Sequence, residues 1–298
     1  MMTIPSNLTF QAIISPDWVD YELLDSGEGA KLEKIGPYTI IRPEAEAIWQ
    51  RSLPESSWKK AHAVFKPGAE EMGGHWERHA EIPPRWKIRY KNISFWVQLS
   101  ASRHIGFFPE QASQWDWMAD LISRSNRQLH ILNLFGYTGL STLMAASVGA
   151  HVTHVDASKK AITWAKENLT ISGLQEKPVR WILDDALKFI QREARRGVRY
   201  DGLILDPPKF GRGPKGEVWE FYKLLPNLLD NCRQVLSTHP IFVIITAYAV
   251  KASSITLSNA VAEMMSKFGG NISFGELVLK EKSASRQLST AVFAQWSS

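Results

Sequence analysis

The chain of 298 residues is 44% hydrophobic and has a single cysteine, so it can bury a full core but has no disulfide framework or thiolate zinc site. No apolar run reaches the length of a membrane span and no secretory signal pattern is present, so we expect no membrane partner, and the single cysteine indicates a reducing, cytoplasmic setting. The net charge of +5 arises after residue 105, where 22 basic residues face 17 acidic ones, and this excess permits an anionic partner without requiring one.

Residues 1–105 are predicted to form a separate module rich in β-strands and tryptophan. Strands are expected at residues 38–43 and 87–100, bounded by proline and glycine pairs. Eight of the 12 tryptophans lie between Trp18 and Trp117, where they supply either core area or stacking surface for a base. We expect this module to recognise the substrate or to act as a lid, and residues 106–298 to form the second domain.

One run in this module alternates basic and apolar residues. Residues 85–91 read R-W-K-I-R-Y-K, and the period of two along a strand places the four basic groups on one face. That face is either a solvated outer surface or a strip that contacts phosphates. The candidate substrate-binding residues of this run are Arg85, Lys87, Arg89 and Lys91.

A possible metal site in the module is poorly supported. His75 and His79 are four residues apart and could share a helix face, but Gly73 and Gly74 precede them and no third ligand is evident. We therefore expect no metal.

From residue 106 onward, a linker and a helix at 115–123 lead into alternating strands and helices. Such alternation predicts an α/β fold with a parallel sheet covered by helices on both faces. The last two strands, at 272–279 and 289–296, have no helix between them and predict a hairpin that closes the sheet antiparallel. The other strands are expected at 131–135, 151–155, 179–183, 201–205 and 241–246, the helices at 140–148, 158–171, 186–196, 217–237 and 254–268, and a Gly/Pro loop at 211–216.

Ligands of open α/β sheets bind outside the carboxyl ends of the strands. The segments predicted to lie there are 135–139, 156, 184–186 and 206–210. Asp156 follows Gly136 by 20 positions at the end of a strand, where such folds hold ribose hydroxyls. The chain has neither G-x-G-x-x-G at this turn nor a G-x-x-x-x-G-K-[ST] loop, so NAD and ATP are weak candidates for the nucleoside.

The sequence resembles the class I S-adenosylmethionine-dependent methyltransferases, and more narrowly the bacterial family that contains the 23S rRNA cytosine-C5 and guanine-N7 methyltransferases. The resemblance rests on L-N-L-F-G-Y-T-G at 132–139, H-V-D-A-S at 154–158, D-D-A at 184–186, L-D-P-P-K-F at 205–210 and the lead-in G-F-F-P-E-Q at 106–111. It covers residues from about 100 to 298. It implies a Rossmann-like methyltransferase fold with a seven-stranded, mostly parallel sheet, S-adenosylmethionine as cofactor, and RNA, in particular rRNA, as substrate.

The resemblance also implies which residues hold the cofactor. Residues 135–138 would line its methionine end, Asp156 would hold the ribose hydroxyls, Asp185 and the Ala186 backbone would meet the adenine, and Gln111 would act from the linker. The candidate cofactor-binding residues are Phe108, Gln111, Asn133, Phe135, Gly136, Tyr137, Thr138, Gly139, Asp156, Ala157, Ser158, Asp185, Ala186 and Asp206.

The D-P-P-K-F turn has a chemical role that follows from its residue types. Two prolines stiffen the backbone and remove its donors, which leaves free carbonyl acceptors beside the Asp206 carboxylate. This set can hold an exocyclic amine, and Phe210 offers a stacking face. Methyl transfer from a sulfonium to such a nucleophile depends mainly on alignment. The candidate catalytic residues are Asp206, Pro207, Pro208, Lys209 and Phe210, with Arg212 as a further substrate-binding residue.

The chain departs from that family in two ways. Methylation of cytosine C5 ordinarily uses a cysteine thiolate, but Cys232 lies in a helical core pattern and residues 246–248, after the fifth strand, are Thr-Ala-Tyr. A ring or exocyclic nitrogen, or a ribose oxygen, therefore fits better as the acceptor. We also expect the N-terminal RNA-binding module of the family to be missing, because the chain is too short to include it beside the Trp-rich module, and this weakens the case for RNA as the substrate.

Three functions remain open at this point. A nucleic-acid methyltransferase would use the basic run 85–91, the arginine cluster at 192–199, and Arg212 with Lys215 to reach phosphates. A methyltransferase of a small molecule or a protein would use the N-terminal module as a lid. A cofactor-binding protein without turnover is disfavoured by the intact D-P-P turn. Both a monomer and a homodimer are compatible with the sequence.

Overall fold

The computed structural model describes residues 9–68, 73–101 and 103–298. Within them the chain forms two compact units. The first unit contains residues 113–277 and 291–298 together with the first strand up to Ile13, and the second contains residues 14–112 and 278–290. The predicted N-terminal module also includes residues 1–8, 69–72 and 102, which lie outside the described residues. Its role in recognition or as a lid stays a prediction.

The described residues contain 17 strands and seven helices. The strands are β1 (Thr9–Ile14), β2 (Tyr21–Gly27), β3 (Ala30–Ile35), β4 (Tyr38–Pro43), β5 (Ala63–Pro67), β6 (Gly74–Arg78), β7 (Trp86–Tyr90), β8 (Ile93–Val97), β9 (His130–Leu134), β10 (His151–Asp156), β11 (Val179–Leu183), β12 (Gly202–Leu205), β13 (Phe210–Arg212), β14 (Val218–Glu220), β15 (Phe242–Ala247), β16 (Asn271–Lys280) and β17 (Gln287–Ser297). The helices are α1 (Glu55–Trp58), α2 (Ala112–Ser123), α3 (Leu140–Ser147), α4 (Lys159–Ile171), α5 (Ala186–Arg195), α6 (Phe221–Val235) and α7 (Ser254–Met264).

The first unit is built on an eight-stranded sheet with the order β1-β16-β17-β15-β12-β9-β10-β11. The five strands from β15 to β11 pair in parallel, and β17 pairs antiparallel with β15. This arrangement confirms the predicted α/β class with an antiparallel end. The sheet has one strand more than expected, because β1 adds to its edge beside β16.

The strand order reverses between β9 and β12, which creates the crevice where such sheets hold their ligands. The chain runs from β9 outward through β10 and β11, and then crosses to β12 and β15 on the other side. Strands β9, β12 and β15 are buried along nearly their whole length, as expected for parallel strands covered on both faces. This core fixes the loops after β9, β10, β11 and β12 at one edge.

The second unit contains a five-stranded sheet, β2-β3-β4-β5-β6, and a separate two-stranded sheet, β7-β8. The predicted single strand at 87–100 is wrong, because the chain turns at Lys91, whose φ of 49° is left-handed, and continues as β8. His75 and His79 do not share a helix face, because His75 lies on strand β6.

Two differences from the predicted elements lie in the first unit. The first two residues of the predicted Gly/Pro loop at 211–216 belong to strand β13, which forms a short antiparallel hairpin with β14. Helix α6 accordingly begins at Phe221, after the hairpin, rather than at residue 217. Among the described residues, no helix combines the length and the apolar character needed to cross a membrane.

Candidate active site

The turn after β9 has a backbone that few sequences can adopt. Gly139 has φ of 85°, and Phe135 and Tyr137 also have positive φ, at 60° and 49°. Such values are strained for residues with side chains, and strain of this kind concentrates where a ligand is bound. The amide of Gly136 donates to the carbonyl of Val155 at 3.0 Å, and that of Gly139 donates to the carbonyl of Gly136 at 2.9 Å. These bonds hold the turn against the end of β10.

Position 136 requires glycine because there is no room for a side chain, and not because of its backbone conformation. A Cβ at this position would lie 2.4 Å from Cε1 and 2.5 Å from Nδ1 of His154, which is completely buried in β10. The imidazole therefore packs directly against the Cα of the turn.

A short polar network holds that imidazole. Asn133 donates from Nδ2 to Oγ1 of Thr142 at 2.9 Å, and this hydroxyl lies 3.0 Å from Nδ1 of His154. Burial lowers the pKa of His154 to about 3, so the ring is neutral at ordinary pH. Its Nε2 has no hydrogen-bond partner among the described residues. The predicted role of Asn133 toward the cofactor stays a prediction, since its side chain lies in this network behind the turn.

Asp156 lies at the end of β10 with both carboxylate oxygens engaged by the backbone. Its Oδ2 accepts from the amide of Tyr137 at 2.8 Å, and its Oδ1 accepts from the amide of Ser158 at 2.7 Å. Burial raises its pKa above the ordinary value, and these two hydrogen bonds oppose the shift. Each oxygen keeps a further lone pair that can accept from a hydroxyl. Ser158 also caps helix α4 through a bond from the amide of Ala161, as predicted.

The three residues after β11 serve different structural purposes. Asp184 forms an ion pair with Arg192, and its amide donates to the carbonyl of Asp156 at 3.1 Å, which ties the two loops together. Asp185 caps helix α5, because its Oδ1 accepts from the amide of Lys188 at 2.9 Å. Ala186 is buried as the first residue of that helix. The predicted contacts of Asp185 and Ala186 with adenine stay predictions.

The D-P-P-K-F turn at the end of β12 lies across the crevice from the turn after β9. The amide of Asp206 faces the carbonyl of Leu134 at 3.4 Å, since Leu205 and Leu134 are partners in the register of the two strands. Asp206 is partly exposed, and Pro207 is buried while Pro208 is exposed. The catalytic roles of these residues stay predictions.

Trp219 is a residue of this site that the sequence reasoning missed. Its Nε1 donates to the carbonyl of Pro208 at 2.6 Å, and its ring lies 4.9 Å from that of Phe135, so one side chain contacts both turns. The expectation that the carbonyls of the D-P-P-K-F turn are free is therefore wrong for Pro208. It is also wrong for Lys209, whose carbonyl accepts from the amide of Phe221. The tryptophan content offered a hint, but nothing placed this Trp beside the turn.

The hairpin of β13 and β14 presents Phe210 to solvent. Phe210 is 66% exposed, an unusual state for a phenylalanine, while Trp219 on the opposite face of the hairpin is buried. The ammonium of Lys209 lies 5.7 Å from the Phe210 ring, and Arg212 is exposed on the same face. The ion pair between Lys188 and Glu217 at 2.7 Å holds the loop between the two strands.

The remaining candidate residues lie in the second unit or on helix α5 and the residues after it. Phe108 and Gln111 belong to the second unit, where Phe108 precedes a 3-10 turn (Pro109–Gln111) and Gln111 is its last residue, and their contact with the cofactor stays a prediction. The basic run 85–91 lies on β7 of the same unit, with the predicted alternation of exposed and buried side chains. In the arginine cluster at 192–199, Arg192 pairs with Asp184 and Arg196 with Glu193, so part of its charge is compensated.

Two kinds of chemistry find no support in the described residues. Cys232 is completely buried in α6, and burial raises the pKa of its thiol far above the ordinary value. Across residues 9–68, 73–101 and 103–298, no group of three or more His, Cys, Asp or Glu side chains is arranged to hold a metal ion.

Comparisons with known proteins bear on this arrangement. Residues 113–222 match a family model described as conserved hypothetical protein 95. A solved structure of a SAM-dependent methyltransferase from Agrobacterium tumefaciens is 43% identical, covers 97% of this chain and 94% of its own, and superposes with a TM-score of 0.93. The chain belongs to the S-adenosylmethionine-dependent methyltransferases. This enzyme therefore uses S-adenosylmethionine as its cofactor.

Curated relatives of the methyltransferase are longer than it is. Ribosomal RNA large subunit methyltransferase I of Alteromonas mediterranea is 30% identical over 146 residues, which are 49% of this chain and 35% of that protein. Ribosomal RNA large subunit methyltransferase K of Neisseria meningitidis serogroup B is 26% identical over 220 residues, which are 71% of this chain and 61% of that protein. The chain thus spans between a third and two thirds of the length of these two relatives.

Proposed function

We propose that this methyltransferase transfers the methyl group of S-adenosylmethionine to a nitrogen atom of a base in ribosomal RNA. The names of the curated relatives support ribosomal RNA as the substrate class. The observation that carries the choice of nitrogen over C5 of a pyrimidine is the burial of Cys232, because it is the single cysteine of the sequence and methylation at C5 ordinarily uses an accessible thiolate.

The turn after β9 and Asp156 fit the cofactor. The missing side chain at Gly136 lets the backbone approach a ligand closely, and the positive φ values hold the turn in its strained form. Asp156 has a lone pair left on each oxygen for the two ribose hydroxyls. Phe135 and Tyr137 would lie along the methionine end, and Asp185 and Ala186 near the adenine.

The residues after β12 position the acceptor. S-adenosylmethionine supplies an electrophilic methyl group on a sulfonium. Asp206 accepts a hydrogen bond from the amine, which aligns the nitrogen lone pair, and its carboxylate takes the proton that the methylated nitrogen releases. The Pro207 carbonyl is available as a second acceptor, while Pro208 and Lys209 use theirs to fix the turn. The exposed Phe210 ring stacks on the base.

The test uses an unmodified 23S rRNA transcript and cofactor labelled in the methyl group. We expect the protein to label the RNA, and mass spectrometry of the digested nucleosides to place the methyl group on a base nitrogen. Asp206→Asn should lower the rate at least about a hundredfold, with cofactor affinity nearly unchanged. Cys232→Ala serves as the matched control and should keep the activity of the parent protein.

Other results would contradict the proposal in distinct ways. A methyl group found on C5 of a pyrimidine, together with loss of activity in Cys232→Ala, would overturn the nitrogen assignment. Label found in a protein or a small molecule but in no RNA would favour the alternative substrates. Asp206→Asn with full activity would remove the proposed role of the D-P-P-K-F turn.

A further inference from the structure

The two-stranded sheet β7-β8 has one buried face and one exposed face. Trp86, Ile88 and Tyr90 of β7 are buried, and so are Ile93, Phe95 and Val97 of β8. The opposite face, called here the Trp96 face, consists of Lys87 and Arg89 of β7 and Ser94 and Trp96 of β8, together with the adjoining Arg85, whose guanidinium group lies over Trp96.

The strand register places Trp96 among the cations of this face. Lys87 is the direct partner of Trp96, and Arg89 is the partner of Ser94. Directly opposed side chains on an antiparallel pair have their Cβ atoms about 5 Å apart. Trp96 therefore lies beside Lys87 on the same surface and remains partly exposed.

Arg85 covers part of that tryptophan. Its guanidinium carbon lies 4.5 Å from the centroid of the Trp96 ring, which is a cation–π contact. Arg85 is itself exposed. Bases of single-stranded RNA stack both on aromatic rings and on guanidinium planes, so the two side chains together form a layered stacking platform.

The charge of the face suits a polyanion. Lys87 and Arg89 are exposed, and no acidic side chain in the described part of the chain lies within ion-pair distance of either. The carboxylate of Asp20 accepts from the backbone amide of Arg89 at 2.8 Å. A row of cations beside an aromatic platform is the combination with which proteins bind single-stranded nucleic acid without reading its sequence.

We propose that the Trp96 face binds a single-stranded stretch of the RNA substrate. Lys87 and Arg89 contact phosphates, and Trp96 with Arg85 stacks on a base. This inference rests on the proposed function, since it assumes that the substrate is RNA. It adds the chemistry by which a second surface, in the second unit, recognises that substrate.

Lys87 and Arg89 are tested through the salt dependence of binding. Fluorescence anisotropy would measure the binding of the full chain to labelled oligouridine at several salt concentrations. Each phosphate contact of a single strand contributes about 0.7 to the slope of log K against log salt. The variant Lys87→Ala/Arg89→Ala should therefore weaken binding and lower that slope by about 1.4. The control Lys59→Ala/Lys60→Ala removes the same charge from the two residues that follow α1 in the same unit, and it should change neither quantity.

The role of Trp96 is tested by measuring the affinity for oligouridine, with the expectation that the slope of log K against log salt does not change. Trp96→Ala should weaken oligouridine binding at least about fivefold, because it removes a base stack, while the salt slope stays that of the parent. Trp96→Phe keeps a ring and should retain most of the affinity, which separates stacking from damage to the fold. Affinity for S-adenosylhomocysteine should be unchanged in all of these variants.

The outcomes separate this proposal from the proposed function. If the variants of the Trp96 face bind oligouridine as tightly as the parent, the proposal is overturned, even where methyl transfer to the rRNA transcript is observed. If the parent binds no RNA, the proposal is overturned too, and the labelling assay decides independently which acceptor is methylated. The proposal would also be overturned if the control variant lost as much affinity as Lys87→Ala/Arg89→Ala. RNA would then be attracted by the overall charge of the unit and not by the Trp96 face.

Discussion

Gly136 and His154 are in contact at the point where the backbone turns out of β9. A methyl group at position 136 would overlap the imidazole, with atoms 2.4 Å apart. The ring is buried and held through Thr142, so the turn must shift instead. Overpacking of this kind costs about 1–3 kcal/mol. We therefore expect Gly136→Ala to weaken the binding of S-adenosylhomocysteine about tenfold, measured by calorimetry.

Removing the imidazole supplies the matching test. His154→Ala alone should lower the melting temperature, because it leaves a cavity beside the turn. The double variant Gly136→Ala/His154→Ala should bind S-adenosylhomocysteine more tightly than Gly136→Ala, since the methyl group then has room. Gly269→Ala is the control glycine, because nothing lies within 4 Å of its added Cβ. Strictly additive losses in the double variant would show that the two positions do not interact.

The hairpin of β13 and β14 acts as a unit with the D-P-P-K-F turn. Trp219 connects them through its bond to the Pro208 carbonyl. Trp219→Phe keeps a ring against Phe135 but loses that bond, so the turn loses its fixed position. We expect the rate of methyl transfer to fall about tenfold, as for the loss of a positioning group, while cofactor affinity changes little. A rate measurement at saturating cofactor, together with calorimetry, checks both quantities.

Trp296→Phe is the matched control for this change. Trp296 is also buried in the first unit and also donates one bond to a carbonyl, that of Gly269, at 3.0 Å. It lies on β17, and we expect its replacement to lower the melting temperature slightly without changing the rate. Equal rate losses in the two variants would mean that Trp219 acts through stability alone.

The longer helices and strands of the first unit could be predicted from the sequence, because the spacing of their buried apolar residues indicates the type of each element. Strands β9 to β12 and helices α3 to α5 lie within a residue or two of their predicted bounds, since alternating apolar strands and capped amphipathic helices leave few other folds. The same pattern predicts which segments lie at the edge of the sheet where ligands bind, because these segments are the residues that directly follow each predicted strand. Asp156 and Ser158 could be placed in this way.

Contacts between distant residues could not be predicted from one sequence. Trp219 was assigned to a helix, because the hairpin that directs it toward Pro208 has only three residues in each strand. His154 has no local feature that reveals its packing against Gly136, which is 18 positions earlier. The single strand expected at 87–100 failed because Lys91 adopts a left-handed conformation that its residue type does not favour.

At the scale of the whole chain, the second unit contains an unusual number of buried charges. Arg42 pairs with Glu33 at 2.6 Å and Lys31 with Glu44 at 3.0 Å, and all four side chains are nearly inaccessible. Paired buried charges lose most of their hydration, and their attraction for each other offsets this loss. Glu110 is also buried in this unit, and burial raises its pKa to about 7 against the attraction of Lys31 and Arg42.

Glu110 makes the stability of the chain depend on pH in a defined window. Because its folded pKa is raised from 4.5, its contribution to stability is complete below pH 4.5 and is lost as the pH rises to about 7. Glu110→Gln cannot ionise, so relative to the parent it should become more stable over this window, by at most about 3 kcal/mol. Melting temperatures of both proteins measured from pH 4.5 to 8 give this difference directly. A difference that does not change with pH would mean that Glu110 ionises normally in the folded chain. Glu55→Gln is the control, because that side chain is exposed on α1, and its melting temperature should follow that of the parent at every pH.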